Sequence, residues 1–202
     1  MIIHDDGHTN VIRFDALDDI EKINHQNSAF AKNHFDIIVT NPPFGAKISR
    51  SVHPYLEKFI LGKKKDKNGK ERLLTNQKTE ILFIECCVDF LKYGTGKMAI
   101  VLPDGILTNS SLQPIRDFLM KQCQILAVVS LPQFTFTRSG AGVKSSLVFV
   151  RKKGENEKLG RYPIFMAIAK HIGYNATGRK DEKNDLDKIC QEFKKFKSKN
   201  NF

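Results

Sequence analysis

Asn41-Pro42-Pro43-Phe44 constrains this chain more than any other stretch. It follows directly on Phe35-Asp36-Ile37-Ile38-Val39-Thr40, a short β-branched run that reads as a buried strand. Two consecutive prolines cannot continue a sheet ladder, because neither has an N–H to donate. The tetrapeptide is therefore predicted in a loop at the carboxyl end of a strand, where open α/β sheets place their ligand sites. Pro42 is further restricted by the proline after it, so the loop backbone is stiff. Such a loop presents an amide oxygen and a backbone carbonyl to an exocyclic amine, beside an aromatic face on which a flat base can stack. The plainer reading is a strand-terminating turn with a core phenylalanine.

The rest of the chain alternates strands and helices. Val11–Phe14 is a short strand candidate, and a helix with an acidic first turn is expected from Leu17 to about Asn24. Residues 45–75 show no clear periodicity, and Lys63–Arg72 within them reads as an exposed basic loop. Thr79–Lys92 is a predicted helix, with Ile81, Ile84, Val88 and Leu91 at helical spacing. Met98–Leu102 and Ile125–Leu131 are continuous apolar strands, each stopped by proline. Leu112–Gln122 is a second helix, with Ile115, Leu119 and Cys123 on one face. Ser145–Val150 and Tyr162–Ala169 are two further strands. Asp185–Phe196 is an amphipathic helix striped by Leu186, Ile189, Cys190, Phe193 and Phe196. This order predicts an α/β domain with a mostly parallel sheet and one late antiparallel strand.

At 202 residues the chain can bury a real core. Its composition, 41% hydrophobic and 27% charged, is that of a soluble globular protein. No run is long enough to span a membrane, and the N-terminus lacks the features of a signal peptide. Cys86, Cys87, Cys123 and Cys190 have no metal-ligand spacing and read as reduced residues of a cytoplasmic protein. A net charge of +11 favours a polyanionic partner, most simply nucleic acid.

Asn41–Phe44 resembles the target loop of the amino-methyltransferases, and other segments extend the likeness. They are Gly45 after the loop, Lys97–Leu107, Val129–Pro132 with Phe134 and Phe136, Ser146–Val150, Lys170–Tyr174 and Asn184–Leu186. Together they are similar to the catalytic domain of the modification (methylase) subunit of type I restriction-modification systems, a family of N6-adenine DNA methyltransferases. The resemblance implies an S-adenosylmethionine-dependent, Rossmann-like α/β fold with strand order 3-2-1-4-5-7-6. On that order Val11–Phe14 matches strand 3, Phe35–Thr40 strand 4, Met98–Leu102 strand 5, Ile125–Leu131 strand 6 and Ser145–Val150 strand 7. It also implies roles. Asn41 and the Pro42 carbonyl accept hydrogen bonds from the target amine, Pro43 stiffens the loop, and Phe44 stacks on the base. Double-stranded DNA is the implied partner, together with a DNA specificity subunit and a restriction subunit.

Strands 1 and 2, with their Gly-rich cofactor turn and ribose-binding acid, have no counterpart. Gly94-Thr95-Gly96 lies before a strand rather than after one, and Gly140-Ala141-Gly142 lies between two late strands. The expectation is a catalytic portion over residues 1–170 and a C-terminal extension over 171–202. The S-adenosylmethionine site is incomplete, and strand 4 has an unpaired apolar edge. A separate N-terminal half could supply the remainder. Asp15 matches the family's acid near the cofactor's adenine amine, or else it is a turn residue. Lys63, Lys64, Lys65, Lys67, Lys70 and Arg72 are a solvated loop or, in a DNA enzyme, phosphate contacts. His4 and His8 flank two aspartates but lack a third ligand, so no metal is expected. His171 reads as a turn or core residue. Two other functions compete: a non-catalytic DNA-binding remnant, and an RNA or protein amino-methyltransferase of the same fold.

Overall fold

The computed structural model describes residues 11–140 and 142–200. The histidines and aspartates of the first ten residues, and Ala141, lie outside that range. Five strands make the main sheet: β1 (Ile37–Thr40), β6 (Lys97–Pro103), β7 (Cys123–Ser130), β8 (Ser145–Lys152) and β9 (Phe165–Ile168). Their order is β1-β6-β8-β7-β9. β1 runs parallel to β6, β8 runs antiparallel to both β6 and β7, and β9 is parallel to β7. The first four strands thus stand as 4-5-7-6 with strand 7 reversed, as the resemblance implies. The short strands are β2 (Lys47–Ser49), β3 (Lys63–Lys65), β4 (Glu71–Leu73), β5 (Asn76–Lys78), β10 (Ile172–Tyr174) and β11 (Lys180–Asn184). They form three two-stranded ribbons: β2 with β5, β3 with β4, and β10 with β11.

The helices are α1 (Ile20–Gln26), α2 (Thr79–Phe90), α3 (Asp104–Thr108), α4 (Gln113–Gln122) and α5 (Leu186–Asn200). α2 and α4 cover one face of the sheet. Ile81, Ile84, Val88 and Leu91, with Ile115, Phe118 and Leu119, pack on Met98, Ile100, Leu102, Val148 and Val150. α2 is apolar nearly all round because its other side closes a second cluster with Leu17, Leu56, Leu82 and Cys86. On the opposite sheet face, α5 lays Phe193 against Phe149 and Phe165, with ring centroids 5.9 and 5.4 Å apart. That cover does not reach β1. Ile37 is 70% and Val39 79% exposed at the sheet edge.

Some expectations need correction. Val11–Phe14 forms no strand, because no described segment offers it a ladder, and Val11 is exposed. α1 starts at Ile20 rather than Leu17, since Asp19 takes the N-cap and accepts from the Glu21 N–H. Residues 45–75 are ribbons and short 3-10 turns rather than irregular loop. Cys123 ends α4 and opens β7, while Cys190 is exposed rather than part of an apolar stripe. Burial pushes the Cys87 and Cys123 thiols up to about 12, which keeps them inert.

Candidate active site and nucleic-acid interface

β1 stops at Thr40, and the chain turns through Asn41–Ala46 into β2. β2 pairs with β5, and β5 runs straight into α2. The ribbon therefore carries the first residues of α2 back against the loop. The Thr79 N–H donates to the Ala46 carbonyl at 2.9 Å. The Thr79 hydroxyl donates to the Pro43 carbonyl at 2.9 Å. Gly45, at φ +78°, turns its N–H toward the Glu80 carboxylate, which accepts it at 3.1 Å. A side chain at position 45 would be strained in that left-handed conformation. Thr79 and Glu80 are both buried. They are functional candidates that the sequence reading missed.

The clamp holds the Pro43 carbonyl but leaves its neighbours free. Among the described residues, nothing donates to the Asn41 side chain or to the Pro42 carbonyl. Asn41 is exposed, Pro42 buried, Pro43 exposed and Phe44 half-buried. The Phe44 ring meets Phe136 edge to face, with centroids 6.4 Å apart and planes at 90°. Phe136 belongs to the loop after β7, so two loops converge at the carboxyl edge of the parallel strands. At that edge Asp104, just after β6, accepts the Ser146 hydroxyl at 2.7 Å and lies 3.7 Å from Lys144 Nζ. The arrangement offers two acceptors and an aromatic face, held by hydrogen bonds from and to the buried Thr79 and Glu80. It can orient an amine.

Asp15 lies in the turn before α1 and is exposed. One carboxylate oxygen accepts the Leu17 N–H at 3.0 Å and the other accepts the Tyr55 hydroxyl at 2.9 Å. Burial, then this hydrogen bond, pushes the Tyr55 phenol up, so it stays a donor. A cleft of about 580 Å³ lies alongside, lined in part by Leu17, Asp19, Tyr55, Lys58 and Glu85. No residue of the Asn41–Phe44 loop lines it. His171 sits in the turn before β10, and its N–H donates to Asp185. No His, Cys, Asp and Glu group among the described residues could hold a metal.

Lys63–Arg72 is the β3–β4 hairpin rather than an irregular loop, exposed except at the half-buried Lys63 and Asp66. Asp66 organises its turn. It accepts the Asn68 and Lys70 N–H groups at 2.9 and 3.0 Å and pairs with Arg72 Nε at 3.1 Å. Sequence periodicity hid this hairpin because its residues are charged on both faces. The hairpin root is tied to the same scaffold as the target loop: the Gln77 amide donates to the Leu61 carbonyl at 2.6 Å. Glu85 on α2 accepts the Ile60 and Leu61 N–H groups at 2.7 and 2.8 Å.

Comparison with known proteins decides the family. The model of the N-6 DNA methylase family matches residues 1–202. The chain belongs to that family. It is 30% identical over 118 residues to the methylase subunit of the EcoEI type I restriction enzyme of Escherichia coli, spanning 58% of this chain and 21% of that one. It is 27% identical to the MpnII type I methylase subunit of Mycoplasma pneumoniae over 207 residues, spanning 100% of this chain and 36% of that one. The chain thus covers well under two thirds of these relatives. Among solved structures it matches a chain from a study of type I R-M system assembly and conformational transition. That match has a TM-score of 0.60 at 23% identity and covers 92% of this chain and 32% of that one. A Listeria monocytogenes protein assigned to the class I S-adenosylmethionine-dependent methyltransferases matches with a TM-score of 0.55 at 17% identity, covering 78% of this chain and 41% of that one. The fold expected from the sequence is borne out, as is the likeness to type I methylase subunits.

S-adenosylmethionine is the cofactor this fold and family imply. Among the described residues, the groups that the sequence offers for it are placed as follows. Asp15 has both oxygens engaged within its own chain. Gly94 and Gly96 precede β6 and lie at its amino end, away from the carboxyl edge where the target loop sits.

Proposed function

We propose that this chain is the target-base part of an N6-adenine DNA methyltransferase of a type I restriction-modification system. One observation carries the reading. The clamp from Thr79 and Glu80 fixes the loop, yet the Asn41 side chain and the Pro42 carbonyl have no donor among the described residues. Two free acceptors on a rigid loop suit the two N–H bonds of an adenine amine. With both accepted, the nitrogen lone pair is turned outward. Phe44 then stacks on the extruded base, with Phe136 against its edge. S-adenosylmethionine would supply the methyl group to the complete enzyme, and this chain's contribution is orientation. Residues 1–170 carry this portion and 171–202 extend it.

Double-stranded DNA is the proposed substrate, with Lys63, Lys64, Lys65, Lys67, Lys70 and Arg72 as its phosphate contacts. A DNA specificity subunit and a restriction subunit are the proposed partners. One observation favours a second reading, DNA binding without catalysis by this chain alone: the Asp15 carboxylate is committed to Leu17 and Tyr55.

The test is Asn41→Ala in the assembled enzyme, scored for N6-methyladenine and for DNA affinity. Methylation should fall by orders of magnitude while affinity changes little, because the Asn41 oxygen acts on the reacting amine. Equal methylation by variant and wild type would remove Asn41 from the mechanism.

A further inference from the structure

The β2–β5 register places Lys47 directly opposite Lys78, and both are exposed. Directly opposed residues in an antiparallel pair hold their Cβ atoms about 4.5–5.5 Å apart, and like charges there repel. One carboxylate is near. Glu80 Oε1 lies 3.9 Å from Lys78 Nζ, and the other Glu80 oxygen takes the Gly45 N–H. Lys47 has no ion pair among the described residues. Two cross-strand cations and one carboxylate, which is shared with the Gly45 N–H, leave this stretch of the ribbon net positive. The β3–β4 hairpin offers a contrast: Lys64 also faces Arg72, but Arg72 is paired with Asp66 at 3.1 Å.

The pair is also fixed to the target loop from both ends. Lys47 follows Ala46, whose carbonyl takes the Thr79 N–H. Lys78 precedes Thr79, whose hydroxyl holds the Pro43 carbonyl. We propose that Lys47 and Lys78 are a phosphate-binding pair, gripping one backbone phosphate of the nucleic-acid strand whose base enters the Asn41–Phe44 loop. The inference rests on reading the chain as a DNA enzyme. A phosphate between the two ammonium groups converts their repulsion into a shared attraction. It sets the strand's position three residues from Phe44. Two mobile point charges suit a phosphate that must be held without sequence preference.

The test is fluorescence anisotropy of the chain with a fluorescein-labelled DNA duplex across a potassium chloride series. Neutralising one phosphate contributes about 0.9 to the slope of log affinity against log salt. The double variant Lys47→Gln/Lys78→Gln should lose about that much slope, and Lys47→Arg/Lys78→Arg should keep it. Lys194→Gln/Lys197→Gln on α5 removes the same charge and should leave the slope unchanged. An undiminished slope in the first variant overturns the inference, as do equal losses from both Gln pairs. A wild-type chain with no salt-dependent binding overturns the DNA reading itself. Without DNA, the Gln pair at 47 and 78 should melt no lower than wild type. A lower Tm would overturn the proposal by giving the pair a structural role.

Discussion

Glu80, at the start of α2, accepts the Gly45 N–H at 3.1 Å from a position only 2% exposed. Removing that acceptor unties the loop from α2, and water can reach the exposed Gly45 N–H in its place. Glu80→Ala should destabilise the chain by about 1.5 kcal/mol, the net worth of one hydrogen bond to a carboxylate. Thr79→Val keeps the volume and loses one hydroxyl bond to Pro43, which is worth about 1 kcal/mol. Urea midpoints at constant m-value check both. In the assembled enzyme each change should lower methylation more than DNA affinity, since each loosens the loop without touching the basic hairpin.

The hairpin makes a second expectation. Lys64 and Lys65 are exposed on β3, and Lys67 and Lys70 on its turn. Replacing Lys63, Lys64, Lys65 and Lys67 with alanine should weaken duplex binding at low salt and flatten its salt dependence. The slope should fall by about 0.9 for each phosphate that these lysines neutralise. Unchanged affinity across the salt series would return the hairpin to the status of a solvated ribbon.

Arg151 and Glu157 make a bidentate contact, at 2.6 and 3.1 Å, at the far end of β8. The guanidinium hydrogen bond, then the Gly154 N–H, brings the Glu157 carboxyl down to about 2. A depressed folded pKa means the ion pair stabilises the fold above pH 5, and that stability disappears as pH falls toward 2. Both groups are partly solvated, so water screening limits the gain to about 1 kcal/mol. Glu157→Gln should lower stability by that amount at pH 7 and by a small fraction of it at pH 2, read from urea midpoints at the two pH values. A constant difference at both would assign the effect to packing.

β1 is an edge strand with Ile37 and Val39 exposed at 70% and 79%. Such an edge is a template for pairing with other chains. Val39→Lys should raise the concentration at which the chain begins to scatter light, with little change in its melting midpoint. A large fall in Tm would mean that Val39 packs against something in solution.

The sheet was legible because β1, β6, β7 and β8 each contain an uninterrupted apolar run of three residues or more, and proline follows β1 and β7 and ends β6. Val11–Phe14 has the right residues for a strand and no partner to pair with, a fact that no local pattern carries. β11, Lys180–Asn184, was invisible because Lys-Asp-Glu-Lys-Asn has neither alternation nor β propensity. The target loop announced itself by its two prolines. Its clamp did not, since Thr79 and Glu80 lie 36 and 35 residues from the backbone groups they hold. The Asp15–Tyr55 hydrogen bond was equally hidden, since its partners lie 40 residues apart.

Phe44 makes the last prediction. Its ring is half-buried and meets the ring of Phe136 in a T-shaped contact. Stacking of a base on an aromatic ring is worth about 1–3 kcal/mol and tolerates any ring of similar size. In the assembled enzyme, Phe44→Ala should therefore weaken capture of an extruded base by roughly 5- to 150-fold, that energy expressed as a ratio. Phe44→Tyr should retain it. A duplex with 2-aminopurine at the target position reports the event directly: its fluorescence rises on leaving the helix and is quenched on stacking against the ring. With Phe44→Ala the rise should persist and the quench disappear. If the quench survives in Phe44→Ala and disappears in Phe136→Ala, the stacking platform is the β7 loop, and Phe44 only buttresses it.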